Sequence, residues 1–210
     1  MATVLSSTEQ RVILRNVSWE TYERLLDERG DEPVPRFSFD RGDLEIISPS
    51  SEHEEYKCAF AQIVDVVAEE LGINIRRLGS TTFRRQPVQR GFEPDACFYI
   101  QSVAQVRGRR RIDLLVDPPP DLIIEVDISS DSLKKEGIFA ALRVREVWCY
   151  DGNSVTIHEL VGEEYVERNA SVALPLLTSA ALTELIEESK CLDSIPWLRK
   201  FRKWVRDHAA

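Results

Sequence analysis

A chain of 210 residues with 43% hydrophobic and 30% charged positions has ordinary globular composition and enough apolar material for a large core. Its formal charge of −9 excludes a protein coated uniformly with basic side chains. The start Met1-Ala2-Thr3-Val4-Leu5 lacks the regions of a secretion signal, and no apolar run is long enough to span a membrane. Cys58, Cys97, Cys149 and Cys191 show no C-x-x-C pairing, so they are expected to be scattered core thiols of a cytoplasmic protein rather than a zinc site.

In chain order, Ser18 is positioned to cap a helix that runs to about Arg29 and is stopped by Gly30. Phe37 to Phe39 and Leu44 to Ile47 flank Asp40-Arg41-Gly42-Asp43, a hairpin pattern. Phe60, Ile63, Val64, Val67 and Leu71 recur at helical spacing and predict an amphipathic helix over about Glu52 to Leu71. Strands are expected near Asn74 to Arg77, Thr81 to Arg85, Ala96 to Ile100 and Leu122 to Ile128. A helix is expected from Ser132 to Leu142, then strands over Glu146 to Tyr150 and Val155 to Leu160 around Asp151-Gly152-Asn153. This alternation predicts an α/β or α+β fold with a mixed sheet.

The chemistry concentrates between residues 94 and 135. In Asp121-Leu122-Ile123-Ile124-Glu125-Val126-Asp127-Ile128, two acids interrupt an otherwise apolar interior strand. Side chains of a strand alternate, so Glu125 and Asp127 are expected on one face, opposite Ile124, Val126 and Ile128. A carboxylate placed there needs a compensating partner. Taken alone, Asp95 after Pro94 is a turn residue, Glu125 half of an ion pair, and Lys134 and Lys135 solvated side chains. Taken together, acid, acid and amine are the equipment of a metal-dependent hydrolase acting on phosphodiesters.

Pro94-Asp95 followed by Glu125-Val126 resembles the PD-(D/E)XK nuclease superfamily, and more closely its Uma branch of restriction-endonuclease-like bacterial proteins. The resemblance rests on Gly42-Asp43-Leu44-Glu45, Ser48-Pro49 with His53, Glu93-Pro94-Asp95, Pro120 to Val126, Lys135, and Glu146 to Gly152. It covers roughly residues 15 to 165. It implies a restriction-endonuclease-like mixed β-sheet flanked by helices, with Asp95, Glu125 and Lys135 catalytic and Asp95 and Glu125 holding Mg²⁺ or Mn²⁺. Glu45, His53 and Asp127 are auxiliary candidates. Where the superfamily places lysine in E-x-K this chain has Asp127, and Lys135 falls where the Uma branch carries its lysine. Leu142-Arg143-Val144-Arg145-Glu146 also departs, since the branch usually has glycine and proline in that turn, and glycine matters there if φ is positive.

Charge is segregated. Residues 76 to 111 hold nine arginines against Glu93 and Asp95, a stretch of +7 that leaves the remainder at −16. That pattern suits a polyanion cleft, with Arg84, Arg85, Arg109, Arg110 and Arg111 as nucleic-acid contacts, or arginines bridging acids elsewhere. Residues 1–170 are read as the nuclease-like domain and 171–210 as a helical extension packed on it or on a dimer partner. The extension has one helix over Thr178 to Glu188 and another from Ile195, with Trp197, Leu198, Phe201, Trp204 and Val205 on one side. The expected function is a metal-dependent DNA endonuclease working as a homodimer. A silent nucleic-acid-binding or regulatory protein on the same fold, and a structural oligomer with a buried charge network, remain open alternatives.

Overall fold

The computed structural model describes residues 9–128 and 134–209. Eleven strands and five α-helices are described, and the strands form two sheets rather than one. The first sheet is antiparallel, in the order β1 (Gln10–Leu14), β3 (Asp43–Ser48), β2 (Arg36–Asp40), β6 (Arg90–Phe92), β5 (Phe83–Arg85). The second is ordered β11 (Glu164–Arg168), β10 (Val155–Val161), β9 (Glu146–Tyr150), β8 (Leu122–Val126), β7 (Ala96–Tyr99), β4 (Arg76–Arg77). It is mixed, since β8 and β9 run parallel while its other pairs are antiparallel.

Local chemistry sets the elements of the first sheet. Ser18 accepts a 3.1 Å hydrogen bond from the Thr21 amide and starts α1 (Trp19–Arg29), which Gly30 ends at φ 63°. The β2–β3 hairpin turns through Arg41 (φ 48°) and Gly42 (φ 105°), the paired positive φ values that a two-residue turn needs to match strand twist. Helix α1 lies close on this sheet: Trp19, Tyr22 and Leu26 pack on Phe37, Phe39 and Leu44, and a Cβ at Gly91 would overlap the Tyr22 hydroxyl.

The second sheet is buried on both faces. Leu122, Ile124 and Val126 of β8 pack with Phe98, Trp148 and Tyr150 beneath α2 (Ser51–Leu71), α4 (Ser179–Cys191) and α5 (Ser194–His208). On the other face Ile123, Cys97 and Val147 meet α3 (Glu136–Ala141) and Phe83 and Phe92 of the first sheet. Strand β8 ends at Val126, so Asp127 lies just past it. Helix α3 begins after Lys135, later than expected; Ser132 lies outside the described residues. Strand β1 was not expected, and neither were β6 and β11. Cys97 is buried and Cys149 half-buried, but Cys58 and Cys191 are exposed, against the expectation of core thiols.

The last two helices join the core. Trp197, Phe201 and Val205 are buried beside α2, the Trp197 indole donates to the Leu185 carbonyl at 3.0 Å, and Arg206 and Arg202 pair with Glu70 and Glu69. Glu146, fully buried in β9, accepts from the Trp148 indole, the Ser171 hydroxyl and the amides of Val172 and Ala173. That carboxylate fixes the segment leading to α4.

The turn after α3 needs the conformation that glycine would supply. Arg143 stands at φ 62°, its amide bonds Ala140, and the Val144 amide reaches back to Phe139, with Phe139 and Val144 packed together. This is a Schellman ending with arginine in the left-handed position. Its side chain donates to the Gly162 carbonyl at 2.8 Å on the exposed surface. A left-handed non-glycine residue costs about 1–2 kcal/mol, more than an exposed hydrogen bond returns. Arg143→Gly is therefore expected to stabilise the chain by about 1 kcal/mol and raise its melting temperature by about 2–4 °C. Thermal unfolding followed by circular dichroism checks this, and a lowered melting temperature would show that the Gly162 contact dominates.

Candidate active site

The two sheets are joined through Glu93-Pro94-Asp95, between β6 and β7. Both acids are buried and are held by different cations. Glu93 takes a bidentate contact from Arg29, with Nη1 and Nη2 at 2.7 and 2.6 Å, and also accepts from the Phe37 amide at 2.8 Å. Asp95 lies on the other side of Pro94. The β7–β8 register pairs Ala96 with Ile124, which sets Asp95 beside Glu125, and Asp95 Oδ2 accepts from the Val126 amide at 2.6 Å.

Around these two carboxylates the fold gathers side chains from distant segments. His53, in the first turn of α2, is 1% exposed; its Nε2 lies 2.8 Å from Asp95 Oδ1 and its Nδ1 3.0 Å from Glu9. Arg36 on β2 is paired through Nη1 with the same Asp95 oxygen. Lys135, at the start of α3, donates to Glu125 Oε2 at 2.9 Å and lies 3.5 Å from Glu45 Oε2. Arg11 on β1 bridges Glu45 (2.9 Å), Glu9 (2.8 Å) and Asp127 (3.3 Å). Lys134 is exposed.

The electrostatics follow from this wiring. Burial would lower the His53 pKa, but hydrogen bonds to Asp95 and Glu9 and the Asp95 charge outweigh it and push it up to about 9. Both ring nitrogens face carboxylates, so His53 is a doubly donating imidazolium; Arg36 Nη2, 3.1 Å from Nε2, is a like charge pulling the other way. Glu9 would be raised by burial, yet the His53 and Arg11 hydrogen bonds bring it down to about 2. Asp95 is likewise pushed up by burial, but the Arg36 charge and His53 hold it well below the usual carboxylate range. Glu125 moves upward, driven by burial and by Asp95 against the opposing pull of Lys135. Lys135 is raised above the ordinary lysine value, because Glu125, Glu45 and Asp95 outweigh the cost of burying it.

The residues expected from the sequence divide into two groups. Asp95, Glu125, Lys135, Glu45, His53 and Asp127 come together, although His53 contacts Asp95 and Glu9 rather than facing outward, and Asp127 touches Arg11. Glu9, Arg11 and Arg36 are the members that sequence reasoning missed. The arginine-rich stretch does not form one cluster. Arg84 and Arg85 sit on β5, an outer strand of the first sheet, with Arg84 3.7 Å from Glu23. Arg109, Arg110 and Arg111 are exposed in the segment after β7, at the end of that strand away from Asp95. Arg77, Arg90 and Arg109 pair with Asp65, Asp40 and Asp117, while Arg85, Arg107, Arg110 and Arg111 make no ion pair among the described residues.

The donor chemistry suits a hard divalent cation. Among the described residues Glu125 Oε1 is buried with no hydrogen-bond partner, an orphaned carboxyl oxygen of the kind a cation satisfies. Asp95 can supply a second oxygen only by giving up or sharing its present partners. Among the described residues no group of three or more His, Cys, Asp or Glu forms a ready-made metal cage. A site of this kind would hold its ion through few protein oxygens, leaving positions for water and phosphate.

Comparison with known proteins gives the family and a likeness of fold. The family model described as "Uma2: Putative restriction endonuclease" matches residues 19–190. Among solved structures, a "putative nuclease belonging to DUF820" from Anabaena variabilis superposes with a TM-score of 0.53 at 15% identity, covering 81% of this chain and 99% of the other. At that identity the likeness concerns the fold. No curated protein matches.

The charge wiring has a consequence for the metal-free chain. His53 has its ordinary value of 6.5 when unfolded and about 9 when folded, so its contribution is complete below pH 6.5 and is lost as pH rises through 9. Glu9, depressed from 4.5 to about 2, contributes fully above pH 4.5 and loses it as pH falls toward 2. In EDTA, the melting temperature is expected to be highest near pH 4.5–6.5 and to decline toward pH 9 by the equivalent of about 2 kcal/mol. His53→Gln should flatten the alkaline limb; equal limbs in the two proteins would show that His53 is not the titrating group.

Proposed function

The chain belongs to the Uma2 family of restriction-endonuclease-like proteins, and from that premise we propose that it is a Mg²⁺- or Mn²⁺-dependent endonuclease that hydrolyses DNA phosphodiester bonds. The observation that carries this reading is the meeting of Asp95, Glu125 and Lys135 at the junction of the two sheets, with Glu125 Oε1 left without a hydrogen-bond partner among the described residues.

Glu125 and Asp95 are the residues that hold the ion. When bound, it supplies charge stabilisation at the phosphate and a more acidic water. Lys135 carries a fixed positive charge beside Glu125, where it can orient the attacking water or neutralise the oxyanion forming on the phosphate. Glu45, itself paired with Arg11, contacts that amine and helps hold it in place. His53 orients Asp95 through one nitrogen and is itself oriented by Glu9 through the other.

DNA is the proposed substrate, with Arg84 and Arg85 and the exposed Arg109 to Arg111 as phosphate contacts. Each chain carries one such site, so a homodimer is the proposed form for cutting both strands. Among the described residues no helix is long and apolar enough to cross a membrane. A second reading, a silent nucleic-acid-binding protein, has one observation in its favour: both Asp95 oxygens already have partners.

Two measurements test the proposal. In calorimetry, Mn²⁺ should bind the wild type and bind Glu125→Gln at least about tenfold more weakly, a loss of about 1.4 kcal/mol, because a charged hard ligand is gone. Lys135→Ala should keep its metal while DNA cleavage falls by about a hundredfold or more. Equal Mn²⁺ binding by the wild type and Glu125→Gln would sink the ligand assignment.

Binding of a short duplex, followed by fluorescence anisotropy in Ca²⁺, should be sequence-tolerant and should weaken steeply with salt. Neutralising Arg84 and Arg85, or Arg109 to Arg111, should flatten the salt slope by about one unit per lost phosphate contact. Neutralising Lys200 and Lys203, which pair with Glu188 and Asp207, should leave it nearly unchanged. An unchanged slope in both arginine variants would remove these residues from the interface.

A further inference from the structure

Asp95 is the least available of the carboxylates at the proposed metal position. Arg36 and His53 both address Oδ1, and the Val126 amide takes Oδ2. A carboxylate oxygen offers two lone-pair directions, so Oδ1 has none left for a cation from solution. A divalent ion arriving beside Glu125 would also face the Arg36 guanidinium across a buried, weakly screened gap. Oδ2 keeps one direction beside the Val126 amide, but an ion that uses Oδ1 requires one of the two resident cations to yield.

His53 is poorly suited to yield. It is 1% exposed, it is wedged between Asp95 and Glu9 with both nitrogens engaged, and it is anchored in the capped first turn of α2. Arg36 differs in three respects. Its side chain is long. Its Nη1 meets Asp95 as an ion pair, a contact set more by charge than by alignment. And its other terminal nitrogen, Nη2, already lies 3.4 Å from Glu54 Oε1, on a half-exposed side chain one residue beyond His53. The guanidinium thus spans an inner acid and an outer acid.

We propose that Arg36 is a positioning residue that occupies the Asp95 carboxylate in the metal-free protein and passes to Glu54 when a divalent cation binds. Arg36 acts as a resident counter-ion: it keeps Asp95 ionised and in place while the site is empty, and it holds the metal affinity of the wild type down. Glu54 is its alternative partner, which lowers the cost of displacement. The site then opens by exchange of one buried charge contact. This inference rests on the assignment of Asp95 and Glu125 as metal ligands, and it concerns how that assignment is regulated by the chain's own cations.

The test is calorimetric titration of the full chain with MnCl₂ alone, comparing wild type, Arg36→Met, Glu54→Gln and Glu125→Gln, with folding checked by circular dichroism. Arg36→Met should bind Mn²⁺ about tenfold more tightly than the wild type, and Glu54→Gln about threefold more weakly, as expected for coupling between two sites. Equal affinity of the wild type and folded Arg36→Met, with Glu125→Gln still impaired, overturns the role of Arg36 and leaves the ligands standing. Absence of binding by the wild type and every variant overturns the metal assignment and this inference with it. Should Arg36→Met not fold, Glu54→Gln decides, since its side chain lies outside the buried site; unchanged Mn²⁺ affinity in that variant overturns the exchange.

Discussion

Carboxylates buried where two sheets meet must be neutralised from within the protein, and that requirement organises most of this fold. Pro94 separates Glu93 from Asp95, and each acid recruits cations from a different part of the chain: Arg29 from the end of α1, Arg36 from β2, His53 from the start of α2. Leaving such a charge without its partner costs about 3–5 kcal/mol, a large share of the stability of a single domain. The ends of two helices and the middle of a sheet are therefore tied to one three-residue connector. Glu45 and Glu125 extend the network through Lys135 and Arg11, so the first strand and the third helix depend on it too.

The same rule operates far from the site with a different outcome. Glu146 is as deeply buried as Glu45, but it is satisfied by an indole, a hydroxyl and two backbone amides instead of by lysine or arginine. All its donors are fixed by the backbone or by packing, and among the described residues no cation pairs with it that a metal or phosphate could replace. It reads as a structural clamp that joins the C-terminal helices to the second sheet. The contrast separates the two kinds of buried acid. Asp95 and Glu125 are held by charged side chains, and among the described residues Glu125 retains an oxygen with no hydrogen bond.

Much of the scaffold could be read from the chain because its signals are local. The 3.6-residue spacing of Phe60, Ile63, Val64 and Val67 marks α2, the apolar run around Glu125 marks β8, and Asp40 to Asp43 marks the hairpin. The pair Asp95 and Glu125, with Lys135, was visible through spacing and family resemblance. Arg36 and Arg11 were not. Their partners lie 59 and 34 residues away, and charge patterns along a chain carry no trace of pairings made by sheet topology. Strand β1 is short and lies at a sheet edge, where polar residues dilute the alternation. The arginine-rich stretch is continuous in sequence but is divided between strand β5 of the first sheet and the segment after β7. The left-handed turn at Arg143 was foreseen only as a missing glycine, and the backbone there does adopt positive φ.

The central claim is that the junction of the two sheets holds a divalent cation between Glu125 and Asp95. A crystal soaked in MnCl₂ and measured at the manganese absorption edge tests it most directly. The account predicts one strong anomalous peak at coordination distance from Glu125 Oε1 and from an Asp95 oxygen, with the Lys135 amine still beside Glu125. A structure in which Asp95 keeps Arg36 and His53 and no anomalous peak lies against Glu125 would contradict it.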